Sequence, residues 1–172
     1  PVIASVGNVA ASGGYYIAVA ADSIFANKGS ILGSIGVIIS YPIMKDLFDK
    51  VGIDVETIKS GNLKDSGSFS RNPTPQDKIF FEKLILNMYD QFIDVIVKDR
   101  MMERNNVLSL ADGRVFTGLT SLKLGLIDEL GTYESAIEIA AKMGGIEGKP
   151  QIFQINKKSN LVKDFLSSDL ST

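Results

Sequence analysis

The sequence contains neither cysteine nor histidine. Without cysteine there is no thiol nucleophile, no thiolate zinc site and no disulfide framework, which accords with an extracytoplasmic setting. The lack of histidine excludes more. These residues cannot assemble a Ser-His-Asp triad, and they cannot bind a metal through imidazole. A serine nucleophile in this chain would need another base, and lysine is the usual substitute. Charge of one sign is also lacking. Lysine and arginine number 18 against 20 acidic residues, for a formal net charge of −2. That leaves no electrostatic footprint for nucleic acid, and no basic run suits an anionic membrane surface. There is no apolar run long enough to span a bilayer and no leader pattern. The first residues, Val2-Ile3-Ala4-Ser5-Val6, are core-like and not the polar start expected of a natural terminus. The expectation is therefore a single domain, residues 1–172, cut from a longer protein whose upstream part, with any membrane anchor, lies outside this sequence.

The chain is organised around Ala10-Ala11-Ser12-Gly13-Gly14-Tyr15-Tyr16. Val2–Val6 before it reads as a buried strand, and Ile17–Ala21 after it as a short buried helix. A serine at a sharp strand-to-helix turn exposes its hydroxyl. The helix start then directs backbone N–H groups and a partial positive charge at the reacting centre. Gly13, lacking a Cβ, lets a carbonyl oxygen approach its amide. The alternative is that Ser12 only caps the helix, and the stretch alone does not decide between the two.

Asp22–Ala26 reads as a second strand. Gly29 to Ile39 carries Gly33 and Gly36 among β-branched residues, which predicts tight turns followed by a strand from Val37. The glycine spacing fits no dinucleotide fingerprint, and Gly148-Lys149 is no P-loop because Pro150 follows. Pro42–Val51 reads as a helix stopped by Gly52, and the alternation of Ile53–Ile58 reads as a strand. Residues 59–74 form a long polar loop, either a solvated surface segment or a functional one. Thr74-Pro75 opens the longest helix, running to about Arg100. Apolar residues cover two of its sides, which is too broad for a helix on one core. The expectation is a helix set between its own core and a partner subunit, or one covered by parts of the protein outside this sequence.

Beyond it come a helix over Met102–Leu110, a turn and strand over Asp112–Phe116, and a short helix capped by Thr117 and ended by Gly125. Next are Leu126-Ile127-Asp128-Glu129-Leu130 and a helix from Thr132 to Gly144-Gly145. A strand over Gln151–Ile155 and a helix over Asn160–Leu166 close the chain. Strands alternating with helices predict an α/β domain with largely parallel strands.

Among the lysines, Lys64 stands out, because it follows a predicted strand in a loop with glycines on both sides. To act as a base it must be neutral near physiological pH, several units below its reference pKa of about 10.4, which burial away from carboxylates can achieve. Asp65 next to it is the objection, since an ion pair would hold Lys64 charged. Adjacent residues in an extended loop usually point apart.

Four stretches together, Ala10–Tyr16, Gly33-Ser34-Ile35-Gly36-Val37, Ser60-Gly61-Asn62-Leu63-Lys64-Asp65 and Ala111-Asp112-Gly113-Arg114-Val115, resemble the signal peptide peptidase A family of serine proteases. The resemblance covers most of the chain and implies a Clp protease/crotonase-like α/β fold, a spiral of ββα units. It assigns Ser12 as nucleophile and Lys64 as general base. Ser34 becomes the serine that orients the lysine amine, and the Gly13 N–H one oxyanion-hole donor. The second donor would come from a glycine-rich loop upstream of this sequence. Ser66 and Phe69-Ser70-Arg71 depart from the family, which often carries an apolar residue or alanine at the first position and commonly proline in the second segment. The resemblance further implies a membrane-associated, extracytoplasmic protease with no metal or cofactor. Its substrates would be signal-peptide remnants or other apolar membrane-derived peptides. It would be a homo-oligomeric ring in which serine and lysine can come from adjacent protomers. Rival readings are a related protease acting on a membrane or phage capsid protein, a crotonase-type acyl-CoA enzyme, and a non-catalytic assembly subunit.

Overall fold

The first strand, β1 (Ile3–Val6), leads through Gly7-Asn8 into a second, β2 (Val9–Ala11), and then into helix α1 (Gly13–Val19). The structure is a computed structural model that describes residues 1–154. The pattern repeats with β3 (Ser23–Ala26) and β4 (Ile31–Gly33). The members of each pair enter different sheets, β3 lying parallel to β1 from Ile3↔Ser23 and β4 parallel to β2 from Val9↔Ile31. One turn of chain thus stacks on the turn before, and one side chain fixes the corner. Ser30 Oγ accepts from the Asn27 N–H at 3.0 Å and donates to the Gly7 carbonyl at 2.5 Å, tying the second corner to the first. After the long connection come α2 (Lys45–Val51), α3 (Pro75–Asp99) and α4 (Arg104–Leu110). They are followed by β5 (Val115–Thr117), α5 (Gly118–Lys123), β6 (Glu129–Leu130) and α6 (Tyr133–Met143). The sheets run β1-β3-β6 and β2-β4-β5, with only the β4–β5 pairing antiparallel. This is the mixed α/β, ββα spiral that the resemblance implies.

The core gathers where α1 and the C-terminal half of α3 meet the sheets. Tyr15, Val19, Ile24, Leu32, Ile35, Phe92, Ile93, Ile96, Val107 and Leu126 are buried together. Each such large side chain contributes about 1.5–3 kcal/mol of transfer free energy. Helix α3 begins where threonine and proline predict. Thr74 Oγ1 accepts from the Asp77 N–H at 3.1 Å while Asp77 accepts from the Thr74 N–H at 2.8 Å, a full capping box. Thr117 and Thr132 cap α5 and α6 through side-chain oxygens, Thr132 with a full capping box as well.

Several expectations change. The strand that delivers Ser12 is β2, and α1 starts at Gly13, four residues before Ile17, because burial of Tyr15 outweighs the poor helix propensity of two glycines. No strand starts at Val37. Gly33 at φ 82° and Ser34 at φ 50° turn the chain out of the sheet just before it, so residues 34–44 are irregular. Helix α2 starts at Lys45, not Pro42, although Gly52 at φ 73° ends it as predicted. Ile53–Ile58 alternates without forming a strand. It pairs with no strand among the described residues, and all six residues are exposed. Residues 151–154 are likewise not a strand, while Ile155 and the helix predicted over Asn160–Leu166 lie outside the described residues.

Candidate active site

Ser12 sits at the turn between β2 and α1 with φ 52° and ψ −120°, a conformation L residues avoid, at a cost of about 1–3 kcal/mol. The turn is held from both sides. Its N–H donates to the Gly33 carbonyl at 2.8 Å, and its carbonyl accepts from the Tyr16 N–H at 2.9 Å. Its side chain makes no capping hydrogen bond and is exposed, so the helix-cap reading of Ser12 fails. A strained, exposed serine at a strand-to-helix turn is the geometry of a nucleophile elbow. Beneath it Tyr15 is fully buried, and its hydroxyl donates to the Leu126 carbonyl at 2.7 Å. Burial pushes that phenol well above its ordinary range, so it stays neutral and pins α1.

Ser12 and Gly13 open on a cavity of about 450 Å³. Tyr16, Val37, Ile38, Met88 and Phe92 make its walls apolar, and Gln91 adds an amide. Tyr16 and Phe92 meet edge to face at 5.2 Å. Helical spacing explains why α3 supplies Met88, Gln91 and Phe92 at one place. Met88 and Phe92 belong to the apolar sides that the sequence shows on this helix, and Gln91 carries no sequence signal. Val37 and Ile38 reach the site because the predicted strand there is absent. The space where a Cβ on Gly13 would stand is open, so nothing of the chain crowds that amide.

Ser34 follows directly on the residue that holds the Ser12 turn. It is half-buried, and its N–H donates to the Arg114 carbonyl at 2.8 Å. The Gly113 N–H donates to the Ile35 carbonyl at 3.1 Å, so the Ala111–Val115 stretch braces the Ser34 segment. Gly33 is the hinge of this arrangement. A Cβ there would stand 2.7 Å from a Phe116 ring carbon and 3.1 Å from the Arg114 carbonyl, at a φ of 82°. Gly33→Ala is expected to destabilise the fold by about 1–3 kcal/mol, read as a lower denaturant midpoint. An unchanged midpoint would show that the hinge has slack.

Lys64 lies elsewhere. It is exposed on the turn after α2, where its N–H donates to the Gly61 carbonyl at 3.1 Å, and it does not line the Ser12 cavity. Among the described residues its ammonium has no hydrogen-bond or ion-pair partner. Asp65 does not turn to it. That carboxylate is held by Lys59 at 2.7 Å and Arg71 at 2.9 Å, and these cations, Arg71 foremost, keep it ionised well below the usual carboxylate range. Arg71 also reaches the buried Asp77 at 2.6 Å, to which Ser66 Oγ donates at 2.5 Å. Ser66 and Arg71 thus fasten the loop to the start of α3.

The model of peptidase family S49 matches residues 1–147. A candidate protease of Synechocystis sp. is 41% identical over 169 residues, covering 98% of this chain and 61% of that protein. The chloroplastic serine protease SPPA of Arabidopsis thaliana is 36% identical over 170 residues, 97% of this chain and 25% of that one. Protease 4 of Haemophilus influenzae is 34% identical over 143 residues, 83% and 23%. The chain therefore spans between about a quarter and three fifths of the length of these relatives. A solved enoyl-CoA hydratase/isomerase family member overlaps 84% of this chain and 38% of its own at a TM-score of 0.41 and 18% identity.

Proposed function

Because the chain belongs to peptidase family S49, we propose that it carries the catalytic part of a serine endopeptidase with a Ser12–Lys64 dyad. The observation that carries this reading is Ser12 itself, strained at positive φ, with no capping bond and open to an apolar cavity. In the proposed mechanism neutral Lys64 accepts the Ser12 hydroxyl proton as Oγ attacks the substrate carbonyl carbon. The Gly13 N–H donates to the oxyanion, and the Ser34 hydroxyl orients the amine. Protonated Lys64 then gives its proton to the leaving nitrogen as the C–N bond breaks. Water, deprotonated by Lys64, attacks the acyl-enzyme, and Ser12 leaves with the proton. A lone Gly13 donor leaves the oxyanion hole incomplete, and a missing donor typically costs about 10²–10³ in rate. The second donor is assigned to residues outside this sequence.

The cavity walls of Tyr16, Val37, Ile38, Met88 and Phe92 favour apolar peptides, in keeping with signal-peptide remnants or membrane-derived segments as substrates. None of these steps needs a metal or cofactor. No described helix is long and apolar enough to cross a membrane. Lys64 is not among the residues that line the Ser12 cavity, which favours one arrangement over another. The loop bearing Lys64 runs into α3, whose first half keeps Ile79, Phe80, Leu84 and Leu86 exposed. A neighbouring copy seated there would bury that face, and a ring of copies would bring Lys64 of one protomer to Ser12 of the next.

The test of the nucleophile is a fluorophosphonate probe applied to the full-length protein. Peptide mapping is expected to find the adduct on Ser12, and Ser12→Ala is expected to take up none. Active peptidase that leaves Ser12 unlabelled would overturn the assignment, and so would an adduct on another serine.

A further inference from the structure

We infer that Arg71 is a positioning residue: by capturing the Asp65 carboxylate it keeps that carboxylate off Lys64, leaving the amine without a counter-ion. The inference rests on the reading of Lys64 as the base. It begins from adjacency. An acid beside a catalytic lysine is a hazard, because a carboxylate within about 4–6 Å of an ammonium favours the charged form, and a charged amine cannot take the serine proton.

The geometry removes the hazard. Arg71 grips Asp65 as a fork, Nε to Oδ2 at 2.9 Å and Nη2 to Oδ1 at 2.9 Å, while Lys59 Nζ donates to Oδ1 at 2.7 Å. Arg71 is itself anchored on Asp77, Nη1 to Oδ2 at 2.6 Å and Nη2 to Oδ1 at 3.1 Å. Asp77 is 1% exposed, and it is fixed by Ser66 and by both the N–H and the hydroxyl of Thr74. A buried carboxylate in the first turn of α3 thus sets the guanidinium, and the guanidinium sets Asp65. Gly67 at φ 81° lets the loop close onto α3, since a Cβ there would stand 3.3 Å from the Phe81 ring. Other charges nearby leave the fork undisturbed. Lys45, Asp49, Asp54 and Glu56 line one groove with Arg71; Lys45 and Asp49 pair with each other at 2.7 Å. Among the described residues neither Asp54 nor Glu56 bonds Arg71. A lysine at position 71 would hold the two carboxylates less firmly, because it lacks the planar fork.

The test is the pH profile of kcat/KM for peptide hydrolysis by the full-length enzyme, which reports ionisations of the free enzyme. Wild type is expected to show a rising limb that is abolished with the activity in Lys64→Ala. In Arg71→Ala Asp65 loses the fork and keeps only the single bond from Lys59, so it can turn to Lys64. The limb is expected to move up by about one pH unit, a roughly tenfold loss of rate below it. Removing the freed carboxylate as well, in Arg71→Ala/Asp65→Asn, is expected to return the limb to its wild-type position. A loss of structure alone would not be repaired by a second substitution at Asp65. Arg71→Lys should fall between, and it serves as the reading if Arg71→Ala does not fold. A limb that stays at its wild-type pH in both Arg71 single variants overturns the inference and leaves the Ser-Lys dyad standing. A double variant that stays displaced does the same. A Lys64→Ala enzyme with the wild-type profile overturns the dyad, and the inference with it.

Discussion

Replacing Ser12 with alanine is expected to abolish peptide hydrolysis by the full-length protein, by about 10⁴-fold or more, the scale seen when a nucleophile acting with its base is removed. Stability should hardly change. The Ser12 side chain is exposed and makes no capping bond, and surface substitutions of that kind usually stay within about 0.5 kcal/mol. Alanine keeps the Cβ, so the backbone remains strained at φ 52°. Ser12→Gly separates strain from chemistry. It should be as inactive as Ser12→Ala and yet more stable than it by about 1 kcal/mol, because glycine occupies positive φ without steric cost. Equilibrium denaturation of the three proteins beside their turnover numbers gives both comparisons. If Ser12→Ala hydrolyses peptide at the wild-type rate, the nucleophile lies elsewhere and the mechanism falls. If Ser12→Gly is no more stable than Ser12→Ala, the turn stores no strain for catalysis to use.

Elements whose ends carry local chemistry were legible in the sequence. Thr74-Pro75 specified the start of α3 because a threonine N-cap and a proline in the first turn are adjacent in the sequence. Thr117 and Thr132 were likewise legible as N-caps. Ser12 was legible as a strand-to-helix serine, though not the strand that bears it: β2 is three residues long, and such a strand exists only through its register with β4. Ile53–Ile58 shows the opposite failure. Its alternation is as good as that of a real strand, but no described strand pairs with it, and periodicity cannot reveal a missing partner. The cavity walls were hidden for a related reason. Val37 and Ile38 reach the site only because Gly33 and Ser34 eject the chain from the sheet at positive φ. The ties among Asp65, Arg71 and Asp77 span six residues each and join a loop to a helix start. No spacing rule marks such a pair.

Mixing two inactive proteins, Ser12→Ala and Lys64→Ala, is expected to restore activity. Lys64→Ala should be inactive alone, and so should Lys64→Arg, because a guanidinium does not deprotonate in a protein. Two observations in the structure lead to the mixing result. Lys64 is exposed and lines no part of the Ser12 cavity, and the helix its loop runs into presents apolar side chains to solvent, with Leu86 61% and Ile79 52% exposed. A head-to-tail contact over that face would repeat around a ring and pair each Ser12 with a neighbour's Lys64. In a ring assembled at random from equal parts of the two variants, about a quarter of the interfaces would join an intact serine to an intact lysine. Recovery near that fraction after dissociation and reassembly is the expected readout. If each protomer supplied its own lysine, every site in the mixture would lack one member of the dyad, and no recovery would follow. Light scattering at the assay concentration closes the remaining gap. A full-length protein that hydrolyses peptide as a monomer would rule out the shared site, because one chain would then have to bring Lys64 to its own Ser12.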